Sequence, residues 1–454
     1  MNFSRLALFT FLSLSVVVFA WLGETFIIKT TSIVSAWSAC KTTAQSNQPQ
    51  ATIHYTKDSP ASLKPTLTWT KVEGAVAYEL ELLTQIPENA NRPAPTPYCL
   101  FSTTKIYVNG YNADLSPYDT SALYWRVRAL DSKGKPLSQF SSAEPLSVDF
   151  YHNSLQKPLI TSIFNQSPGG ILLYPVYSWI PIAGAEKYEV EILDAPPENP
   201  NSTSPSSHRI SAAIARGFDY YDTTARTAEQ PFYWRVRGLT AEGDPVGVFS
   251  DTGTFTVSPH SSIEVATYGD SITHGGGSIS YSPADWEYSY QHYLTFPTMN
   301  LGKSGDTSEA LVERFDEDVL PFQPQYLLIM GGTNSLRGGT SASEVIADLS
   351  ELKEKCLVHG IKPIFLTLPP VNPAHIKEVF DEPTVSNWQE QFRLVNQFIR
   401  TQTHIDVARD IGSSQGVLLP NLAVDGLHLD IQGKKQIAKV INSYWLCTNG
   451  FHSL

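Results

Sequence analysis

The chain has 454 residues, more than one hydrophobic core accommodates, so several domains are expected. Its 42% hydrophobic and 17% charged residues are those of a folded protein, and 31 prolines with 28 glycines favour turns and strands over long helices. A formal net charge of -12 argues against the basic patches of a nucleic-acid binder and against electrostatic attachment to anionic lipid.

Residues 1–40 carry Arg5, then an uncharged apolar run from Leu6 to Leu22, with Glu24 the first acid. This is the pattern of a signal peptide or an N-terminal membrane anchor. The run of 17 residues is slightly long for a signal-peptide core and slightly short for a comfortable span; Val18-Phe19-Ala20 offers a small-residue cleavage site. Either outcome exports the remainder, which is then periplasmic, cell-surface or secreted. The four cysteines are Cys40, Cys99, Cys356 and Cys447; none has CxxC spacing, so no zinc site is expected. Export permits disulfides, and Cys40–Cys99 with Cys356–Cys447 is the pairing that stays within domains. Cys40 follows Ser38-Ala39, as in a lipoprotein acylation site, but it lies far beyond the apolar run and Trp37 is a poor fit.

An internal repeat organises the next stretch. Tyr124-Trp125-Arg126-Val127-Arg128 recurs 109 positions later as Tyr233-Trp234-Arg235-Val236-Arg237. Gly74-Ala75 with Tyr78-Glu79-Leu80-Glu81-Leu82 recurs as Gly184-Ala185 with Tyr188-Glu189-Val190-Glu191-Ile192, and Trp69 matches Trp179. Apolar and charged residues alternate, as in strands with one buried face, and turn signals separate them. Two β-sandwiches are therefore expected, over 41–155 and 156–259. The early Trp, the Gly-Ala turn and the Tyr-Trp-Arg-Val-Arg strand resemble fibronectin type III domains across roughly 52–258. Such units serve as spacers or as carbohydrate- or surface-binding modules, and the sequence assigns them no ligand residues.

From 260 to 454 the pattern changes. Strands are predicted at 263–268, 298–301, 326–330, 363–368 and 404–407, with helices near 307–318, 342–358, 385–402 and 431–445. The second helix opens on a capping box, Ser341 with Glu344. Alternating strands and helices imply a parallel sheet covered on both faces, with the site at the carboxyl ends of its strands.

The chemistry-bearing residues follow those strands. Gly269-Asp270-Ser271 follows the first. A serine hydroxyl is a weak nucleophile without a base, and Asp425-Gly426-Leu427-His428 supplies one: His428 to take the Ser271 proton, Asp425 to fix the imidazole. Acyl transfer also needs donors for an oxyanion. The Ser271 N–H, the Gly305 N–H within Ser304-Gly305-Asp306-Thr307, and the Asn334 amide within Gly332-Thr333-Asn334-Ser335 are the candidates.

These four ordered blocks resemble the SGNH (GDSL) hydrolase family over about 262–448. The resemblance implies a flavodoxin-like three-layer α/β/α fold, no cofactor, a Ser271–His428–Asp425 triad, and Gly305 with Asn334 in the oxyanion hole. Ser335 departs from the pattern, standing where the family often has Asp, with an effect expected on local support more than on chemistry. The bland readings are a helix cap for Ser271, a turn for Gly305 and Asp425, and a loop histidine for His428. Gly412-Ser413-Ser414-Gln415-Gly416 is a rival GxSxG elbow, but Pro420 leaves no room for the helix that motif requires. Gly302-Lys303-Ser304 lacks the first glycine of a phosphate loop, since Pro297 stands there. The acidic run Asp316-Glu317-Asp318 reads as a solvated helix face rather than a cation site. His274 and Trp286 are candidate substrate contacts. Trp286, Tyr288, Tyr290 and Tyr293 could line an acyl or sugar site, or form a buried helix face.

The expectation is an exported serine ester hydrolase that needs no metal, acting on a small-molecule or polysaccharide ester through an acyl-enzyme, with a small acyl group such as acetate on carbohydrate. The alternatives are a short-chain lipase, lysophospholipase or thioesterase, and a non-catalytic glycan-binding or adhesion protein.

Overall fold

The computed structural model describes residues 48–449, apart from 90, 96, 163, 165–169, 260–261 and 276–285. The signal or anchor segment and Cys40 lie outside the described residues. No helix among the described residues is long and apolar enough to cross a membrane.

The first repeat unit holds β1 (Thr66–Thr68), β2 (Ala77–Leu83), β3 (Cys99–Ile106), β4 (Gly110–Asn112), β5 (Tyr124–Leu130) and β6 (Glu144–Pro145). They form an antiparallel sheet β3-β2-β5-β6 and a β1-β4 pair. The second unit repeats this plan with β7 (Leu159–Ile160), β8 (Gly170–Leu172), β9 (Val176–Ile180), β10 (Lys187–Leu193), β11 (Arg209–Ala215), β12 (Asp219–Tyr221), β13 (Phe232–Leu239), β14 (Pro245–Val246) and β15 (Gly253–Phe255). Its sheets run β11-β10-β13-β14, with β15 also on β13, and β12-β9-β7. The repeated residues occupy equivalent places. Trp69 and Trp179 are fully buried and their rings meet Tyr78 and Tyr188 at 5.3 Å. The tyrosine hydroxyls accept the Val72 and Ile182 N–H groups.

The charged face of the repeated strands is not left to solvent. Register sets Glu81 opposite Arg126 and Glu79 opposite Arg128, and Glu191 opposite Arg235 with Glu189 opposite Arg237. Arg126 and Arg235 are buried against their glutamates at 2.7 and 2.6 Å. Phe140 and Phe249 stack on the paired guanidiniums, at 4.0 and 4.4 Å and at 4.1 and 4.8 Å. Spare guanidinium N–H groups bind carbonyls of Asn89, Arg92 and Asn199, so each ladder also ties down a long loop.

The third region holds β16 (Val265–Gly269), β17 (Thr298–Asn300), β18 (Tyr326–Met330), β19 (Lys362–Leu366) and β20 (His404–Ile405). Its helices are α1 (Ser271–His274), α2 (Ser308–Glu313), α3 (Phe315–Asp318), α4 (Thr333–Gly338), α5 (Ala342–Val358), α6 (Pro373–Phe380), α7 (Trp388–Arg400) and α8 (Ile431–Asn449). The strands are parallel in the order β20-β19-β18-β16-β17, the doubly wound order whose chain reversal opens a crevice beside β16. The capping box of α5 forms as expected, Ser341 and Glu344 exchanging bonds.

Three expectations need correction. A boundary between 259 and 260 does not divide the sheets: β8, from the second unit, pairs parallel with β17 and becomes the sixth strand of the third region's sheet. Its apolar Ile171–Leu173 covers an edge that would otherwise present unpaired backbone groups. Cys356 and Cys447 are not bonded; Cys356 is buried on the inner side of α5, whereas Cys447 is exposed near the end of α8. The aromatic stretch is two 3₁₀ turns, Trp286–Tyr288 and Tyr290–Tyr293, because its tyrosines anchor separately. Tyr290 enters the main core and Tyr288 packs with Val76, Val424 and Ile431.

Candidate active site

Strand β16 delivers the chain to the crevice in a cramped turn. A Cβ on Gly269 would stand 2.1 Å from the Met330 carbonyl oxygen, so only glycine lets the strand end there. Asp270 then caps α1, its Oδ1 accepting the Ile272 N–H at 2.9 Å. This puts Ser271 at the first helical position, where its own N–H has no intrahelical partner. Ser271 is 7% exposed.

The Asp425–His428 segment forms a tight turn through one carboxylate. Asp425 Oδ1 accepts the Leu427 and His428 N–H groups at 3.0 and 2.7 Å, while Oδ2 accepts from His428 Nδ1 at 2.8 Å. A carboxylate only accepts here, so Nδ1 carries the proton and Nε2 is left as an acceptor. His428 Nε2 lies 2.8 Å from Ser271 Oγ. Burial opposes ionisation of Asp425, but the neighbouring imidazole and the two backbone N–H groups outweigh it and hold the carboxyl below its ordinary value. The Phe380 ring stands edge-on to His428 at 6.2 Å.

The donor candidates lie on the segments that follow β17 and β18. Gly305 is exposed at φ +93°, and among the described residues its N–H has no protein acceptor. Asn334 Nδ2 gives one N–H to the Asp306 carbonyl at 3.0 Å, which orients the amide and leaves its second N–H. Ser335 is buried and accepts the Ser308 N–H at 2.8 Å, so the departing residue braces the start of α2.

Other expectations fare differently. His274 does not face substrate: it is buried, with Nδ1 2.9 Å from Ser304 Oγ and Nε2 2.9 Å from the Tyr174 carbonyl oxygen. Burial drops its pKa to about 4, so it is a neutral strut. Trp286 is half-buried on a 3₁₀ turn that packs against α8. Ser414 lies exposed in a turn of a bridge pairing Gly412 with Leu418, not between strand and helix. Asp318 of the acidic run is buried, paired with Arg314 at 2.6 Å. Among the described residues no cluster of His, Cys, Asp and Glu is arranged to hold a metal.

Sequence reasoning missed two supports. Lys434 is fully buried beneath the serine turn, its Nζ donating to the Ile272 carbonyl at 2.7 Å. Burial lowers its pKa to about 7 against the pull of Asp270 and Asp425, while burial lifts Asp270 to about 6. Arg314 binds Asp306, the Leu301 carbonyl, Asp318 and the Gly269 carbonyl at once. Lys434 lies on α8 beside the partly exposed Lys435, and Arg314 stands between α2 and α3 next to an acidic run, so only contacts from distant segments distinguish them.

Residues 267–436 match the model of the GDSL-like Lipase/Acylhydrolase family. Among curated proteins, the uncharacterized lipoprotein YqeF of Bacillus subtilis (strain 168) is 31% identical over 122 residues, covering 24% of this chain and 49% of that protein. The match thus spans about half the length of that relative. Among solved structures, a GDSL-like lipase from Bacteroides thetaiotaomicron VPI-5482 is 20% identical, covering 40% of this chain and 88% of that one, at a TM-score of 0.33. A catalytic mutant of an acetylxylan esterase from Geobacillus stearothermophilus is 22% identical, covering 40% and 93%, at a TM-score of 0.31. The segment matched by the GDSL-like Lipase/Acylhydrolase family model, 267–436, contains all four sequence blocks.

Proposed function

We propose that the protein is an exported serine hydrolase of carboxylic esters. The observation that carries this reading is the unbroken hydrogen-bond chain from Asp425 through His428 to Ser271, at 2.8 Å in each step. Ser271 Oγ attacks the ester carbonyl as His428 Nε2 takes its proton. The oxyanion that forms is met by the N–H groups of Ser271 and Gly305 and by the spare N–H of Asn334. His428 returns the proton to the departing alcohol, leaving an acyl-enzyme. Water gives a proton to His428 as its oxygen attacks the acyl carbon, and the acid departs as His428 returns that proton to Ser271 Oγ. Asp425 keeps the imidazole in the reactive tautomer and stabilises it when charged.

Labelling with a fluorophosphonate tests this. The parent and Ser414→Ala should label, and Ser271→Ala should not; label retained in Ser271→Ala removes the reading.

The substrate proposed is a small acyl ester, such as acetate on a sugar, met outside the cytoplasm by a chain whose N-terminal units are fibronectin type III-like. The apolar N-terminal run and the likeness to a lipoprotein support export. Rates on p-nitrophenyl esters of rising chain length decide the acyl group. A preference for long chains replaces the sugar ester with a lipid-like substrate.

A further inference from the structure

Two tyrosines of the second repeat unit reach the loop that carries Gly305. Tyr221, the last residue of β12, accepts the Ser304 N–H on its hydroxyl oxygen at 3.0 Å, and its ring lies 4.9 Å from that of His274. Tyr174 follows β8 and presents its carbonyl oxygen to His274 Nε2. A carbonyl can only accept, so Nε2 holds the ring proton and Nδ1 accepts from Ser304 Oγ. The Tyr174 hydroxyl donates to Asp318 Oδ2 at 2.6 Å, on the same carboxylate that binds Arg314. Arg314 in turn grips Asp306 and the Gly269 carbonyl. Residues on both sides of Gly305 are therefore fastened, Ser304 to the β-sandwich and Asp306 to Arg314, while the Gly305 N–H is left without a protein acceptor among the described residues.

We infer that the second β-sandwich is a working part of the hydrolase site, with Tyr221 a positioning residue that fixes the Gly305 N–H by holding Ser304. The inference rests on the triad reading above. Donors to an oxyanion act by being in place before charge develops. A Gly305 turn that must be reordered during the reaction costs transition-state binding and leaves ground-state binding nearly untouched, so the effect falls on kcat and not on KM. Loss of the Tyr221 hydroxyl strips the Ser304 N–H of its acceptor and loosens that turn.

The test is steady-state hydrolysis of p-nitrophenyl acetate by the full chain, with an alkyl boronic acid as a mimic of the tetrahedral intermediate. Tyr221→Phe should lower kcat about tenfold at unchanged KM and weaken the boronate by a similar factor. Ser304→Ala, which cuts the bond to His274, should move kcat in the same direction. Tyr220→Phe is the control: it removes a hydroxyl one position along the same strand, where the ring stacks on Tyr177, and should retain the parent values. Parent kcat and parent boronate affinity in Tyr221→Phe overturn the inference, as does a lowered melting temperature with kcat intact. A parent that neither hydrolyses the ester nor labels at Ser271 overturns the triad reading first, before any tyrosine is changed.

Discussion

The residues around Ser271 are held by buried groups whose charge states differ from their ordinary ones. His274 is the case with a measurable consequence. The unfolded chain protonates this ring near 6.5, but burial keeps it neutral in the fold down to about 4. Between those values the unfolded state binds more protons, so stability is complete above 6.5 and is lost as pH falls toward 4. The full effect is about 3 kcal/mol. Asp270 works in the opposite sense: lifted from 3.8 to about 6, its contribution declines as pH rises through that window. The His274 part is therefore read as a difference. Melting temperature against pH for the parent and His274→Gln should diverge between pH 6.5 and 4, the parent losing more; parallel curves would show that His274 does not titrate this way.

At the scale of elements, the repeat is held by buried charge as much as by its tryptophans. Arg235 is wholly buried and gives its Nε to Glu191, which also binds Arg209. Removing one member of a buried pair leaves the other charged and unsolvated. Arg235→Ala should cost about 3–5 kcal/mol in denaturant unfolding of the second unit. Arg393→Ala, whose partner Glu390 is as exposed as itself, should cost less than about 1 kcal/mol. Equal costs would mean that the ladder is no more than a surface ornament of the sheet. The same elements show the limit of periodicity: alternation located β2, β5, β10 and β13 and their apolar face, but it could not tell that loops would close over the charged one.

At the scale of the whole molecule, the second unit and the third region share one interior, while the first unit keeps a core of its own. The main core runs without a break from Trp179 and Trp234 of the second unit into Tyr268, Leu328 and Phe365 of the hydrolase sheet. The first unit joins through Val76 against Val424, and through Glu73–Lys435 and Lys71–Glu287 ion pairs. A chain beginning at residue 260 lacks β8, exposing the β17 edge and the apolar surface that Leu172 and Leu173 cover. Such a chain should aggregate or melt well below the full protein, each lost leucine being worth roughly 2–5 kcal/mol. Equal melting temperatures in differential scanning calorimetry would mean that the hydrolase region folds alone.

The amino-acid order by itself determined the local pieces: two repeated β units, five parallel strands with their helices, and four short blocks at strand ends. It did so because those signals are periodicity, capping and turn chemistry, which depend on neighbours a few positions away. Tertiary structure alone decided that Ser271 and His428, 157 positions apart, come within 2.8 Å. It also decided that His274 turns inward, that Lys434 is buried under the serine turn, and that β8 crosses into a sheet whose other strands begin about 95 residues later. Those outcomes depend on which surfaces are desolvated together, and no window of sequence carries that quantity.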